Sequence, residues 1–130
     1  MANPGSALDR MGDGKYVLLT TYRRDGTPVA TPTWVVRDGD ALAVWTATDS
    51  GKVKRVRRDG HVTVAPCTIR GRPTGDAVPA RASLLDAAGT ERVRGLIKKK
   101  YRLTGPLTVE LSRRRRGAAG TIGVRITPSG

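Results

Sequence analysis

The stretch from Trp45 to Arg55, WTATDSGKVKR, holds the residues of this 130-residue chain best suited to chemistry. A strand ending in Thr46 and Thr48 passes directly into a helix start at Ser50-Gly51-Lys52. A helix N-terminus presents unpaired backbone N–H groups and partial positive charge, so it attracts anions. Gly51 lets a ligand approach the backbone closely. The hydroxyls of Thr46, Thr48 and Ser50 can donate to phosphate oxygens, Lys52 places an ammonium in the first helical turn, and Arg55 follows one turn on. The chemistry described is phosphate binding. It is neither a P-loop, since no G-x-x-x-x-G-K-[ST] occurs, nor a dinucleotide fingerprint, since no G-x-G-x-x-G opens a parallel βαβ unit. The same spacing also describes a solvated basic helix behind a serine cap, and spacing alone does not separate the two. The strand over Val29 to Trp34 adds weight to phosphate binding, because a meander would lay Thr31, Pro32, Thr33 and Trp34 beside the cradle. Proline is confined to edge strands and bulges, so Pro32 marks a strand whose N–H side is left open.

Other reactive residue types are sparse. The one histidine, His61, opens a strand after the Asp59-Gly60 turn, which suits an edge role better than acid-base catalysis. The one cysteine, Cys67, reads as a small packed residue and excludes an intrachain disulfide; with a single histidine it cannot complete a zinc set. Trp34 and Trp45 are readable as packing residues, with cofactor stacking open for Trp34. The basic run Arg113 to Arg116 belongs to a solvated turn. No catalytic side chain is assigned.

The elements that must position these residues follow from punctuation and period. Turn signals stand at Asp25-Gly26, Asp38-Gly39, Asp59-Gly60 and Gly71 to Gly75. Between them lie β-branched runs at Tyr16–Tyr22, Pro28–Val36, Ala41–Thr48, His61–Ile69 and Val78–Leu85, followed by Leu107–Leu111 and Thr121–Ile126 with period-two alternation. The short connections predict that the first three form an antiparallel meander. Helical spacing predicts one helix over Ser50–Arg58, capped by Asp49 or Ser50, and an amphipathic one over Thr90–Arg102, capped by Thr90. The architecture expected is mainly β: one domain over residues 1–130, a closed or nearly closed antiparallel barrel with two short helices, and loose tails at 1–14 and 127–130.

Composition bounds the rest. With 24 Lys+Arg against 11 Asp+Glu the formal net charge is +13, a field that gathers anions without naming them. Nucleic acid is one such partner. Against it, the bases are spread over turns and both helices, and five aromatics with no Phe make a poor stacking platform, so no specific nucleic-acid partner is expected. No apolar stretch approaches the ~20 residues of a membrane-spanning helix, and the N-terminus lacks a secretory apolar region, so a cytoplasmic protein is expected.

Several stretches together carry a likeness: LLTTYRRDGTPVATPTW, AVWTATDSGKVKRVRRDGHVTVAPC, RGRPTG and, more loosely, ERVRGLIKKKY before a last strand pair. In their order and spacing the sequence resembles the flavin-binding split-barrel family related to pyridoxamine 5′-phosphate oxidase, and within it the branch called PPOX-class F420-dependent oxidoreductases. The likeness spans Tyr16 to Ile126. It implies a split β-barrel (FMN-binding split barrel) of six to eight strands with two or three short helices, a homodimer, and a flavin or deazaflavin in a groove at the subunit interface. Carried over by position, the phosphate-binding stretch falls on Trp45, Thr46, Ser50, Gly51 and Lys52, and the ring-contacting strand on Thr31, Pro32, Thr33 and Trp34. Where flavin mononucleotide (FMN) oxidases of the family carry an arginine just before the lysine, this chain has Gly51. One phosphate donor is thereby missing, which fits the deazaflavin coenzyme F420, a phosphodiester with an acidic oligoglutamate tail; such a tail would give Lys54, Arg55, Arg57 and Arg58 something to meet. The implied activity is hydride transfer between reduced F420 and an electron-poor small organic acceptor. A carrier of F420, flavin or heme without catalysis is the alternative.

Overall fold

The computed structural model describes residues 4–101 and 120–129. In chain order the elements are α1 (Pro4–Met11), β1 (Tyr16–Tyr22), β2 (Pro28–Trp34), β3 (Val36–Asp38), β4 (Ala41–Ala47), α2 (Gly51–Arg58), β5 (His61–Pro66), β6 (Val78–Leu84), α3 (Ala87–Lys100) and β7 (Thr121–Pro128). The seven strands form one sheet in the order β2-β1-β5-β6-β7-β4-β3, antiparallel at every pairing. β2 and β3 stand at opposite edges, yet only Val35 separates them in the chain. The sheet must therefore curl until its edges approach, which is the split barrel the sequence implied.

Period-two patterning sorts residues between two cores. Leu42 and Val44 of β4 face the barrel interior with Val17, Leu19, Val62, Val64, Val124 and Ile126, while Ala43 and Trp45 face the opposite side, under α3. There Val93, Ile97 and Tyr101 pack with Val36 and Trp34. α3 lies close because Gly123 carries no side chain: a Cβ there would stand 3.1 Å from Leu85 and 3.3 Å from Val93. The Gly123 N–H donates to the buried Thr90 hydroxyl at 3.0 Å. Arg92 reaches from α3 to the Asp38 carboxylate at the end of β3 through two bonds of 2.8 and 3.1 Å.

Two tight turns set the register. Asp25-Gly26, with Gly26 at φ 87°, joins β1 to β2 and aligns Tyr16 with Trp34. Gly39, at φ 65°, joins β3 to β4.

The structure departs from the sequence expectations at five places. The run over 28–36 is not one strand and the first three runs are not a meander: the chain leaves β2 at Val35 and pairs on the far edge as β3 with β4. The N-terminal stretch is not a loose tail, since Pro4–Met11 is helical and Leu8 and Met11 are buried in the barrel core. β7 likewise runs on through Thr127 and Pro128. α3 begins three residues before Thr90, capped by Asp86, whose Oδ1 accepts the Gly89 N–H at 2.8 Å. β5 stops at Pro66, because Thr68 to Gly71 close a turn in which the Gly71 N–H donates to the Thr68 carbonyl. The expected strand Leu107–Leu111 and the turn Arg113 to Arg116 lie outside the described residues. No helix among the described residues is long and apolar enough to cross a membrane.

Candidate functional site

β4 hands over to α2 through a short turn, as the sequence required. Ser50 is the N-cap of α2 and its hydroxyl accepts the Val53 N–H at 3.4 Å. Val53 and Val56 are buried, which fixes the roll of the helix. Their burial, worth about 1.5–3 kcal/mol each, holds the first turn against the end of β4. Lys52 then lies over β4, its ammonium donating to the Thr46 hydroxyl at 3.0 Å.

This junction forms part of one groove of about 500 Å³, within the ~300–1,000 Å³ typical of ligand clefts. One part of its lining is Thr46, Ala47, Ser50 and Lys52; another is Pro32, Thr33 and Trp34 of β2; Trp45, Tyr16, Thr121 and Ile69 complete it. The curl of the sheet thus brings β2, at one edge, and β4, next to the other edge, to one cleft, although the two are not hydrogen-bonded neighbours. Pro32 sits on an edge strand, where its missing N–H breaks no ladder.

Of the residues singled out from sequence, Pro32, Thr33, Trp34, Trp45, Thr46, Ser50 and Lys52 meet in the groove. Thr31, Thr48, Gly51 and Arg55 are not part of its lining. Thr31 alternates away from Pro32 along β2 and pairs with Leu19. Thr48 borders a separate cavity of about 400 Å³ beside Leu85, Asp86 and Thr90. Arg55 is turned toward β1: its Nε donates to the hydroxyl of Thr21, a fully enclosed residue, at 2.7 Å. Its guanidinium packs over Gly51, where a Cβ would lie 2.8 Å from Nη1. Arg55 thus ties α2 to β1 and does not line the groove.

Four lining residues were missed in the sequence: Tyr16, Ala47, Ile69 and Thr121. Tyr16 was findable, because the Asp25-Gly26 turn sets it opposite Trp34. Ala47 and Thr121 are paired across β4 and β7, a long-range register that no local pattern reveals. Ile69 stands 65% exposed on the turn after β5.

The groove's chemistry is binding chemistry. It offers one ammonium, several hydroxyls, a helix N-terminus and aromatic walls. The Trp45 Nε1 donor is buried and has no acceptor among the described residues. Burial pushes the Cys67 thiol up, away from thiolate character, and His61 lies exposed at the start of β5. Among the described residues no cluster of three or more His, Cys, Asp or Glu side chains could hold a metal. This donor set fits a phosphorylated ring compound: hydroxyls and ammonium for the anion, Trp34 and Tyr16 for a planar face.

Comparison with known proteins bears on the fold. No curated protein sequence matches the chain significantly. Among solved structures, a candidate pyridoxamine 5′-phosphate oxidase from Listeria innocua is 20% identical, with a TM-score of 0.65 and coverage of 98% of this chain and 94% of that one. A protein described as an F420 reductase is 21% identical, with a TM-score of 0.62 over 96% of this chain and 92% of its own. HutZ, the heme storage protein from Vibrio cholerae, is 12% identical, with a TM-score of 0.64 over 99% and 92%. At these identities the likeness establishes the split-barrel fold alone. A family model described as pyridoxamine 5′-phosphate oxidase matches residues 9–120. With that match spanning most of the sequence, and a curled sheet whose two edges meet at Val35, the chain belongs to the pyridoxamine 5′-phosphate oxidase family.

Proposed function

We propose that this protein is an oxidoreductase that binds the deazaflavin coenzyme F420 in the groove and uses it to exchange hydride with an electron-poor small organic acceptor. The observation that carries the reading is the convergence of Lys52 and Ser50, at the start of α2, with the Pro32-Thr33-Trp34 wall of β2 in one cleft. When bound, the coenzyme supplies the hydride chemistry itself, and the protein supplies binding and orientation. Lys52 and the first turn of α2 hold the phosphate, with the hydroxyls of Ser50 and Thr46 as further donors. Trp34 and Tyr16 flank the ring and exclude water from one face. Gly51 supports F420 over FMN, because the position before Lys52 carries no cationic side chain of its own. The exposed Ile69, at the lip of the groove, offers an apolar contact to the acceptor or to a second copy of the chain. A homodimer closing the groove is part of the proposal, read by sedimentation as a species of twice the chain mass.

The test is a side-by-side titration of the purified protein with F420, FMN and heme, followed by turnover of reduced F420 with enone and quinone acceptors. Micromolar F420 binding with acceptor-dependent oxidation supports the reading. Failure to bind F420 at micromolar concentration refutes it, and tight binding without turnover makes the protein a carrier.

A further inference from the structure

At Val35 the chain changes edges of the sheet, so this residue falls outside both the β1–β2 and the β3–β4 ladders. It is nevertheless fully buried. A buried peptide group without partners is costly, and side chains must replace the missing strand. The last residues of the 87–101 segment do so. The Tyr101 hydroxyl accepts the Val35 N–H at 3.1 Å and lies 2.8 Å from the Val35 carbonyl and 2.6 Å from the Lys15 carbonyl, either of which can take its proton. The Lys100 ammonium donates to three carbonyls, those of Val35 at 2.7 Å, Gly12 at 2.9 Å and Gly14 at 2.6 Å. The ring of the same tyrosine stacks on Trp34, with centroids 4.7 Å apart and planes inclined by 17°. Trp34 is a wall of the groove.

We infer that Tyr101 is a positioning residue for the groove: it holds the Trp34 indole by stacking and the following peptide by its hydroxyl, so that the end of α3 sets the orientation of the ring-facing wall. Lys100 reinforces it by locking the same carbonyl to the turn after α1. The consequence for ligand binding rests on the coenzyme reading of the groove; the control of Trp34 does not. Burial pushes the Tyr101 hydroxyl up to about 12, so it stays protonated and able to donate through the neutral range.

Tyr101→Phe separates the two contacts, since it keeps a stacking ring and removes the hydroxyl. The chain has two tryptophans, so in a Trp45→Phe background Trp34 is the single indole reporter. There, Tyr101→Phe is expected to raise acrylamide quenching of Trp34 at least twofold and to weaken its near-ultraviolet dichroism while far-ultraviolet dichroism is unchanged. In the otherwise unaltered protein the same substitution is expected to raise the F420 Kd at least fivefold at a temperature where both proteins are fully folded. Unchanged Trp34 quenching and dichroism overturn the inference whatever the ligand. A loosened Trp34 with an unchanged Kd, in a protein that binds F420, overturns the positioning role. If the unaltered protein binds neither F420 nor FMN, the coenzyme reading fails and the Trp34 measurement alone decides the control by Tyr101. Should Tyr101→Phe not fold, Lys100→Met, which leaves the tyrosine in place, is judged by the same readouts and criteria.

Discussion

Replacing Lys52 with alanine removes the ammonium that lines the groove and leaves the first turn of α2 intact, because Ser50 caps the helix and Val53 and Val56 anchor it. A hydrogen bond from a charged donor is worth about 1.5–3 kcal/mol. Lys52 is half-buried and already donates a hydrogen bond to the Thr46 hydroxyl. Solvent screening and the N–H groups remaining at the helix start therefore place the loss near the lower end, about 1.5 kcal/mol, or roughly tenfold in Kd. Coenzyme fluorescence titrations of the two proteins with F420 and with FMN measure it. The gap is expected to narrow as ionic strength rises, since the contact is between charges and is partly open to water. Lys52→Arg retains the charge and is expected to recover most of the affinity. A Lys52→Ala Kd within twofold of the parent at low salt would refute the reasoning, because a phosphate held at this junction cannot be indifferent to its nearest cation.

Arg55→Met tests whether that arginine serves the fold or the ligand. It leaves the enclosed Thr21 hydroxyl without its 2.7 Å donor, so stability should fall by about 1–2 kcal/mol in urea unfolding while F420 affinity stays within twofold; an affinity loss matching that of Lys52→Ala would return Arg55 to the phosphate. Thr90→Val keeps the shape of the side chain but strips the acceptor from the Gly123 N–H, at a cost of about 1–3 kcal/mol. The urea midpoint should drop with an unaltered slope, and no drop would mean that the bond is replaced. The Arg92 guanidinium, chiefly through its hydrogen bonds, holds the Asp38 carboxyl below its ordinary value of 3.8. A carboxyl whose pKa is lower folded than unfolded contributes stability above the unfolded value and loses it as pH falls through the folded one. Arg92→Gln should accordingly raise the pH midpoint of acid unfolding, and superimposable acid curves would count against the pair.

The strands and the head of α2 were legible because their signals are local. Val17, Leu19 and Thr21 alternate with half-buried neighbours along β1, and Ser50 stands where a serine cap belongs. The start of α3 was misplaced because Asp86 and Thr90 are both capping types four residues apart. The intervening Ala-Ala-Gly carries no apolar stripe to show that the helix is already under way, and Thr90 spends its hydroxyl on Gly123 instead. α1 was hidden behind Pro4 and Gly5, which read as loop, although proline suits a first helical position and Leu8 and Met11 share a face. The break at Val35 had no local signal, since three consecutive apolar residues, Trp34 to Val36, read as one strand. What interrupts it is supplied by Lys100 and Tyr101, more than sixty residues away. The same distance hid the true environment of Arg55, whose partner Thr21 lies 34 residues back.

β7 sits between β6 and β4, so among the described residues the last strand of the chain is the only ladder connecting the four-stranded ribbon β2-β1-β5-β6 to the β3–β4 hairpin. A nascent polypeptide that has emerged from the ribosome only as far as α3 can assemble each portion but cannot zip them together, and both flanks display rows of unmatched amides meanwhile. Completion waits for residues 121–128, and a premature stop or a frameshift just upstream would cost the whole enclosure rather than one border of it. Such dependence on a segment distant in sequence from its partners slows folding relative to a simple meander and makes residues 121–128 a poor place to cut this protein.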